Sequence, residues 1–478
     1  MTIDNDKLPE DVLLEIFGAY RQLYELQPDY ENVWNSRDGW FKLAHVCLHW
    51  RRVVLSSSSH LHVHLLFTPH RSPREPMLRC LPRFPILVDH RAGPWTEKEE
   101  NLALAAIRHR NRVRGIALRR PYTEQHMAKL LRALSHHFPE LESLEIFPTY
   151  EHGRELVLPA TFLSGSTPSL RQLTLREVLS SCLSPLLSSA TGLVELALTL
   201  RIPRNALPET SFIANLQRMS RLRRLELELK FLPRTTINDE SPPAASTGDI
   251  VTLPKLMQLV FTGQRYYLEA LVAVLAAPSL QHLDAGLRGA TCVFPIPHLC
   301  RFICDTDNQF ITVRLNISRY NLEFSAGTGS QSVYDQPFLI GIHQPVSLEK
   351  MGQELSGPLS TVEELIIAWG VELWDSESRD HLRGFCYYVP QVKIVQVPAE
   401  VALNVAHSFQ QDGREPILDL LPALEQVEVR SVVGEDDLYV SICDAFEPLI
   451  AARQRAGRPI RLSWTFWRNR VTQKWLAR

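Results

Sequence analysis

Cysteine is scarce. Eight are spread over 478 residues without regular spacing, which excludes a disulfide-stapled secreted fold and reads as reduced, mostly buried thiols. An excess of one charge is missing too: 51 Lys and Arg oppose 53 Asp and Glu, for a net charge of -2. Such balance supplies no global field for nucleic acid or a membrane surface. Long apolar runs are absent. The most apolar window, Tyr266 to Ala277, is interrupted by Glu269, and falls well short of the ~20 residues that span a bilayer. The opening MTIDNDKLPEDVLLEIF has no basic segment leading an apolar run and no small-residue cleavage site, so it does not read as a secretory signal. Without secretion, the sequon Asn316-Ile317-Ser318 carries no meaning. The expectation is a soluble, intracellular protein, cytoplasmic or nuclear or both.

Catalytic signatures are missing as well. There is no phosphate loop, no H-E-x-x-H and no G-x-S-x-G, and Gly327-Thr328-Gly329 lacks the third glycine of a dinucleotide site. His60, His62 and His64 would share one face of a strand, yet no nearby Cys or carboxylate completes a zinc tetrahedron. Cys300 and Cys304 have no second Cys/His pair and read as core thiols, with Cys304 at an inward repeat position. No metal, cofactor or catalytic residue is expected. The composition, 45% hydrophobic and 22% charged, is ordinary for a globular chain and excludes a mainly disordered one. A chain this long exceeds a single core and calls for several domains or a repeat array.

What is abundant is leucine, with 32 Pro outnumbering 21 Gly. From about residue 110 a phrase recurs, apolar-x-x-apolar-x-apolar. It runs Val113-Ile116-Leu118, Leu141-Leu144-Ile146, Leu170-Leu173-Leu175, Leu193-Leu196-Leu198, Leu222-Leu225-Leu227, Leu256-Leu259-Phe261 and Leu280-Leu283-Ala285. A weaker copy is Leu299-Phe302-Cys304; then come Val362-Leu365-Ile367, Val392-Val395-Val397 and Leu424-Val427-Val429. Successive phrases start roughly 20–35 residues apart, the period of a leucine-rich repeat. The gap from Leu299 to Val362 is close to two periods, so a degenerate unit or a hairpin insertion lies inside it. Helix-compatible stretches, Glu124–Phe138, Leu179–Ala190 and Arg265–Ala277, fall between phrases. Each unit is then a strand plus a helix, and right-handed crossovers stack the strands in parallel. The polar run 233–252 reads as an excursion between repeats, and Gly327 to Pro337 as a loop joining the strand-like runs Phe310–Ser318 and Tyr320–Ser325 to Phe338–His343.

The first 67 residues read differently. Pro9 and the acids Glu10 and Asp11 open a helix, with Val12, Leu13, Ile16 and Phe17 on one face. A second amphipathic helix is predicted from about Trp40 to Val54, striped by Leu43, Val46, Cys47, Trp50, Val53 and Val54. The fold class is therefore α/β: an all-α segment over 1–67, a connecting strand and helix segment over 68–112, and a degenerate repeat solenoid over 113–478. Insertions interrupt that solenoid near 233–252 and 305–358. Its strands are expected on the concave side and its helices on the convex side.

Outward positions of the phrases should meet a ligand: Glu145, Phe147, Thr174, Arg176, Thr199, Arg224, Glu226, Glu228, Asp284 and Arg430. Their mixed charge fits a protein surface better than DNA, which demands clustered Lys and Arg. The basic run Arg108, Arg110, Arg112, Arg114, Arg119 and Arg120 is either a solvated helix end and strand edge or an anion site for a phosphorylated segment. The aromatic tail from Trp464 to Arg470 fits a terminal strand packed on the last repeat.

Leu8-Pro9…Val12-Leu13…Ile16-Phe17 followed by Leu43…Val46-Cys47…Trp50-Arg51 resembles the F-box. The remainder is similar to the long F-box-like proteins of mushroom-forming fungi, through Leu158-Pro159…Phe162-Leu163…Gly165…Pro168-Ser169-Leu170, Ala277-Pro278-Ser279-Leu280 and Gly457-Arg458-Pro459. The resemblance implies a non-catalytic substrate receptor. Its first helices would dock on a Skp-type adaptor, and through it on cullin and RING subunits, while the repeats hold an unknown protein target. The adaptor contacts it implies are Leu8, Pro9, Val12, Leu13, Ile16, Phe17, Leu43, Val46, Cys47 and Trp50. No nucleic acid and no membrane is involved, and the chain is expected to be a monomer apart from that complex.

Overall fold

A computed structural model describes residues 8–25, 39–57, 65–67, 84–90, 96–119, 124–147, 157–159, 161–179, 183–202, 210–231, 250–288, 297–304, 312–317, 321–327, 338–341, 348–368, 376–411, 415–416, 418–431 and 436–466. The chain divides into two compact units, 1–201 and 202–478.

Among the described residues the first unit opens with three helices, α1 (Glu10–Glu25), α2 (Gly39–Ala44) and α3 (Leu48–Ser56). The single helix expected over 40–54 is thus two. Cys47 adopts an extended backbone and its Sγ accepts the Trp50 N–H at 3.4 Å, capping the second piece. Arg51 Nε donates to the Ala44 carbonyl at 2.8 Å, closing the end of the first. Six strands follow: β1 (Leu65–Phe67), β2 (Ile86–His90), β3 (Val113–Arg119), β4 (Ser143–Phe147), β5 (Gln172–Leu179) and β6 (Glu195–Ile202). Each pairs in parallel with the next. Helices at Glu97–Ile107, Glu124–Ala133 and Ser184–Ser189 and a 3-10 turn at Phe162–Gly165 form the crossovers.

In the second unit come β7 (Arg224–Phe231), β8 (Val251–Thr252), β9 (Gln258–Gly263), β10 (Leu275–Ala276), β11 (His282–Arg288), β12 (Thr312–Ile317), β13 (Asn321–Gly327), β14 (Phe338–Gly341), β15 (Glu364–Ala368), β16 (Ile394–Pro398), β17 (Gln410–Gln411), β18 (Glu415–Pro416), β19 (Gln426–Ser431) and β20 (Arg461–Phe466). Strand order in the main sheet is β7-β9-β11-β13-β12-β14-β15-β16-β19-β20. All neighbours run parallel except β13, which is antiparallel to both β11 and β12. The long gap in the repeat therefore holds a hairpin inserted into the sheet, and the strands are not uniformly parallel as the repeat alone predicts.

One main-chain pattern explains the phrase. At Leu141, Leu170, Leu193, Leu222, Leu256, Leu280, Val362, Val392 and Leu424 the N–H donates to the carbonyl three residues earlier, at 3.0 to 3.3 Å. The chain turns there, and the strand starts two residues on. The residue between them carries the next joint: Glu142 O accepts from both Arg171 N and Gln172 N, Arg171 O from Val194 N and Glu195 N, and Lys393 O from Glu425 N and Gln426 N. Stacking is thereby locked in register, so every phrase sends its apolar positions inward together. Leu144, Leu173, Leu196, Leu225, Leu259, Leu283, Leu365 and Val395 are all buried, each contributing about 1.5–3 kcal/mol. The Pro-Ser-Leu phrases have a related cause. Ser169 Oγ donates to the Pro139 carbonyl and Ser279 Oγ to that of Pro254, both at 2.7 Å, tying one repeat to the one before.

The phrase Leu299-Phe302-Cys304 is not a strand but part of a helix, Pro297–Cys304. Leu299, Phe302 and Ile303 are buried at helical spacing, and the Glu269 carboxylate accepts the N–H groups of His298 and Leu299 at 3.0 and 2.9 Å. Cys304, expected inside, is exposed. Two arginines finish the later turns. Arg383 donates to the carbonyls of Ser408 and Gln410 at 3.1 and 2.9 Å. Arg453, buried, donates to those of Leu420, Leu421 and Pro422, holding a turn in which Leu421 takes a φ of +53°. Gly457, at φ +73°, ends the helix Asp436–Arg455, a conformation that favours glycine.

Candidate functional site

Two surfaces of the first unit, and one of the second, carry the candidate residues. On α1, Leu13 and Phe17 face inward, and Phe17 meets the Trp50 ring edge-on with centroids 4.9 Å apart. His49 Nε2 lies 3.1 Å from the Leu8 carbonyl oxygen, so the start of α3 sits against the start of α1. The expected adaptor contacts therefore divide. Leu13, Phe17 and Leu43 are buried as internal core and offer no contact surface, a correction to the expectation. Leu8, Cys47 and Trp50 are half-buried and Pro9 is exposed. Val12 and Ile16, one turn apart on α1, are each 41% exposed, and Val46 and Leu48 are 50% and 58% exposed. Four large apolar side chains in water on so small a helical segment are unusual for a finished surface.

On the sheet, Glu145 and Thr174 stand side by side in register. Phe147 lies one position further out, with the Arg176 guanidinium 4.6 Å above its ring. The next residue, Glu177, takes a φ of +58° where β5 bulges against β6, and its carboxylate receives Arg201 Nε at 2.7 Å. A bulge re-aims side chains, and here it brings an ion pair beside the stacked pair. Thr199, expected to face a ligand, is buried.

In the second unit, charged residues occupy every other position of β7, Arg224, Glu226, Glu228 and Lys230. Arg224 pairs with Glu226 at 3.0 Å and Lys230 with Glu228 at 3.6 Å. Asp284 is half-buried in the row of Glu226 and Val260. Arg430 lies 3.9 Å from Glu428. Around it is a group the sequence reading missed. Gln396, buried, donates its amide to Glu364 and, at 3.1 Å, to Glu428, while Thr465 Oγ1 also donates to Glu428. Gln426 donates to Ser463 Oγ at 2.8 Å. Burial, and then the neighbouring Glu428 charge, push the Glu364 carboxyl above its usual range against the opposing pull of Arg430 and the Gln396 amide.

Of the basic run, Arg112 is structural: Nε donates to the Phe84 carbonyl at 3.0 Å, and burial lowers its pKa. Arg120 and the three alternating histidines lie outside the described residues. Trp464 packs on Tyr439, centroids 4.6 Å apart, as a terminal strand should. Among the described residues no group of three His, Cys, Asp or Glu is placed to hold a metal ion. Among them, too, no helix is long and apolar enough to cross a membrane.

The architecture is mixed α/β with a parallel-strand sheet, consistent with a leucine-rich-repeat-like build. No protein-family model and no curated protein matches the chain. Among solved structures it is similar to the crystal structure of a TLR13–ssRNA13 complex, at 12% identity and a TM-score of 0.30, over 84% of this chain and 49% of that one. The chain thus spans about half the length of that neighbour.

Proposed function

We propose that this chain is a substrate-recognition subunit of a Skp–cullin–F-box ubiquitin ligase. It would dock on the adaptor through its N-terminal helices and hold a protein target on its repeat strands. The observation that carries the reading is the exposed apolar set of Val12 and Ile16 on α1, Val46 in the turn before α3 and Leu48 at the start of α3, on a segment whose opposite side is already packed. An amphipathic helix with such a face suits a partner's groove. The chain's own chemistry is not catalytic: tethering a target near a charged enzyme raises its effective concentration, and other subunits carry out transfer. The outward strands supply what a protein surface needs, namely paired charges, an aromatic ring and hydrogen-bonding side chains of both signs.

The second reading is an interaction scaffold unconnected to ubiquitin. It is favoured by Leu8, half-buried, with its carbonyl against His49, which gives the motif's first residue an internal role. Co-expression with a Skp-type adaptor, followed by size-exclusion chromatography, separates the two. Wild type should co-elute, and an Ile16→Asp/Val46→Asp double variant should not, while its circular dichroism stays unchanged. Failure of well-folded wild type to co-elute leaves the scaffold reading.

A further inference from the structure

The outward face of the first unit contains a cavity of about 420 Å³ that none of these roles uses. Leu87, Gly115, Ser143 and Gln172 form its floor, four neighbouring strands contributing one residue each in direct register. Gly115 has no side chain to fill the space, and Leu87 leans over it: a Cβ added at Gly115 would lie 2.7 Å from Leu87 Cδ2. The depression is therefore built into the stacking. Its rim is Arg114 near the start of β3 with Glu142 and Arg171, the residues just before β4 and β5.

The polar groups there are unequally satisfied. Arg114 lies 3.7 Å from Glu142 and 4.0 Å from Glu140, so Glu142, which also faces the cavity, has its charge opposed within the wall. Among the described residues Arg171 makes no ion pair, and neither its guanidinium nor the side chains of Ser143 and Gln172 make a hydrogen bond. Three side chains able to donate thus converge on one space beside an apolar wall. A guanidinium fork, an amide and a hydroxyl suit an anionic oxygen pair, and a guanidinium binds such a group bidentately. Leu87 suits the methylene stem that carries it.

We infer that this cavity takes an acidic side chain, a carboxylate or a phosphoryl group, from an extended peptide segment of the partner. The inference rests on reading the outward sheet face as a protein-binding surface. Arg171 grips the anion, Gln172 and Ser143 donate to it from the floor, and Leu87 packs on its stem.

The test is peptide selection on the immobilised full chain. A degenerate nonapeptide library, with phosphoserine included among the residues, is passed over it and the retained peptides are sequenced. Enrichment of Glu, Asp or phosphoserine at one position is expected. It should fall on the order of tenfold with Arg171→Gln, the size of one charge-assisted contact. With Arg171→Glu, selection should shift to Lys or Arg. Phosphoserine outranking Glu would assign the phosphoryl source, and the reverse the carboxylate. Retained peptides without acidic preference, or a preference indifferent to Arg171, would overturn the site while leaving a protein-binding face. Retention of no peptide would also overturn it, and adaptor co-elution would still judge the docking helices separately. Arg171 is exposed, so its variants should fold as wild type does, which circular dichroism checks.

Discussion

Strands β2 to β5 of the first unit and β15, β16, β19 and β20 of the second all pair in parallel with their neighbours, yet finish their outward faces in opposite ways. Across the later strands, Gln396 joins Glu364 to Glu428, Thr465 caps Glu428, and Gln426 takes Ser463. Most polar side chains there bond to one another, while the buried Gln396 Oε1 and Arg430 Nε make no hydrogen bond. Across the earlier strands Ser143, Gln172 and Arg171 line a cavity without bonding to one another. A buried polar network stabilises only if its members are satisfied, whereas groups left to water keep their bonding capacity for a partner. The comparison separates a surface that holds the protein together from one that is available for recognition.

The largest expected effect tests the closed side. Gln396→Leu leaves Glu364 and Glu428 facing each other without the intervening amide, and should cost about 2–3 kcal/mol in urea denaturation, the penalty of stranding buried polar groups. A loss below about 0.5 kcal/mol would mean that the network is decoration. Next is the Glu177–Arg201 pair, at 2.7 Å with both side chains 17% exposed. Arg201→Met should cost about 1.5 kcal/mol, because the carboxylate stays half-buried at a residue already in a left-handed conformation.

How far the sequence discloses these features depends on where the side chains point. Inward positions repeat at fixed spacing, so Leu141, Leu144 and Ile146, or Val392, Val395 and Val397, announce their strands at once. The same spacing of three misleads at Leu299 and Phe302. A helix and this phrase share it, and only the next positions differ, with Ile303 buried and Cys304 exposed. Outward sites are harder. Gln396 lies 32 residues from each of its carboxylate partners, so only register brings them together. The rim row Arg114, Glu142 and Arg171 follows the first apolar residue of three successive phrases, and of the three only Arg114, within the basic run, stands out as a candidate. Their alternating sign, followed by the small Gly115 and Ser143, was the available signal. In the N-terminal segment the apolar face is legible, but its division into core and exposed residues is not, because Leu13 and Val12 look alike in a helical stripe. Nor is the break at Cys47, where a thiol serves as a cap.

A smaller effect comes from pH. Glu364 titrates above its ordinary range in the folded protein, so the folded state favours its protonated form. That contribution to stability is present below the unfolded value and is lost as pH rises through the folded one. Glu364→Gln, which accepts the Gln396 amide but carries no charge, should therefore be more stable than wild type at pH 7, with the gap closing as pH falls into the ordinary glutamate range. Denaturation midpoints at several pH values give the answer, and a gap that widens on acidification would reverse the assignment.

The smallest effect is expected on the open side, and its smallness is the point. Ser143→Ala and Gln172→Ala remove groups without internal hydrogen bonds, so each should change stability by no more than about 0.5 kcal/mol, as for ordinary surface substitutions. A cost of 2 kcal/mol at either position would show that these side chains already hold the sheet, and the distinction between the two faces would fail. If stability stays level while acidic-peptide selection falls, the floor of the cavity is kept for a ligand, because the side chain then contributes to binding and not to the fold.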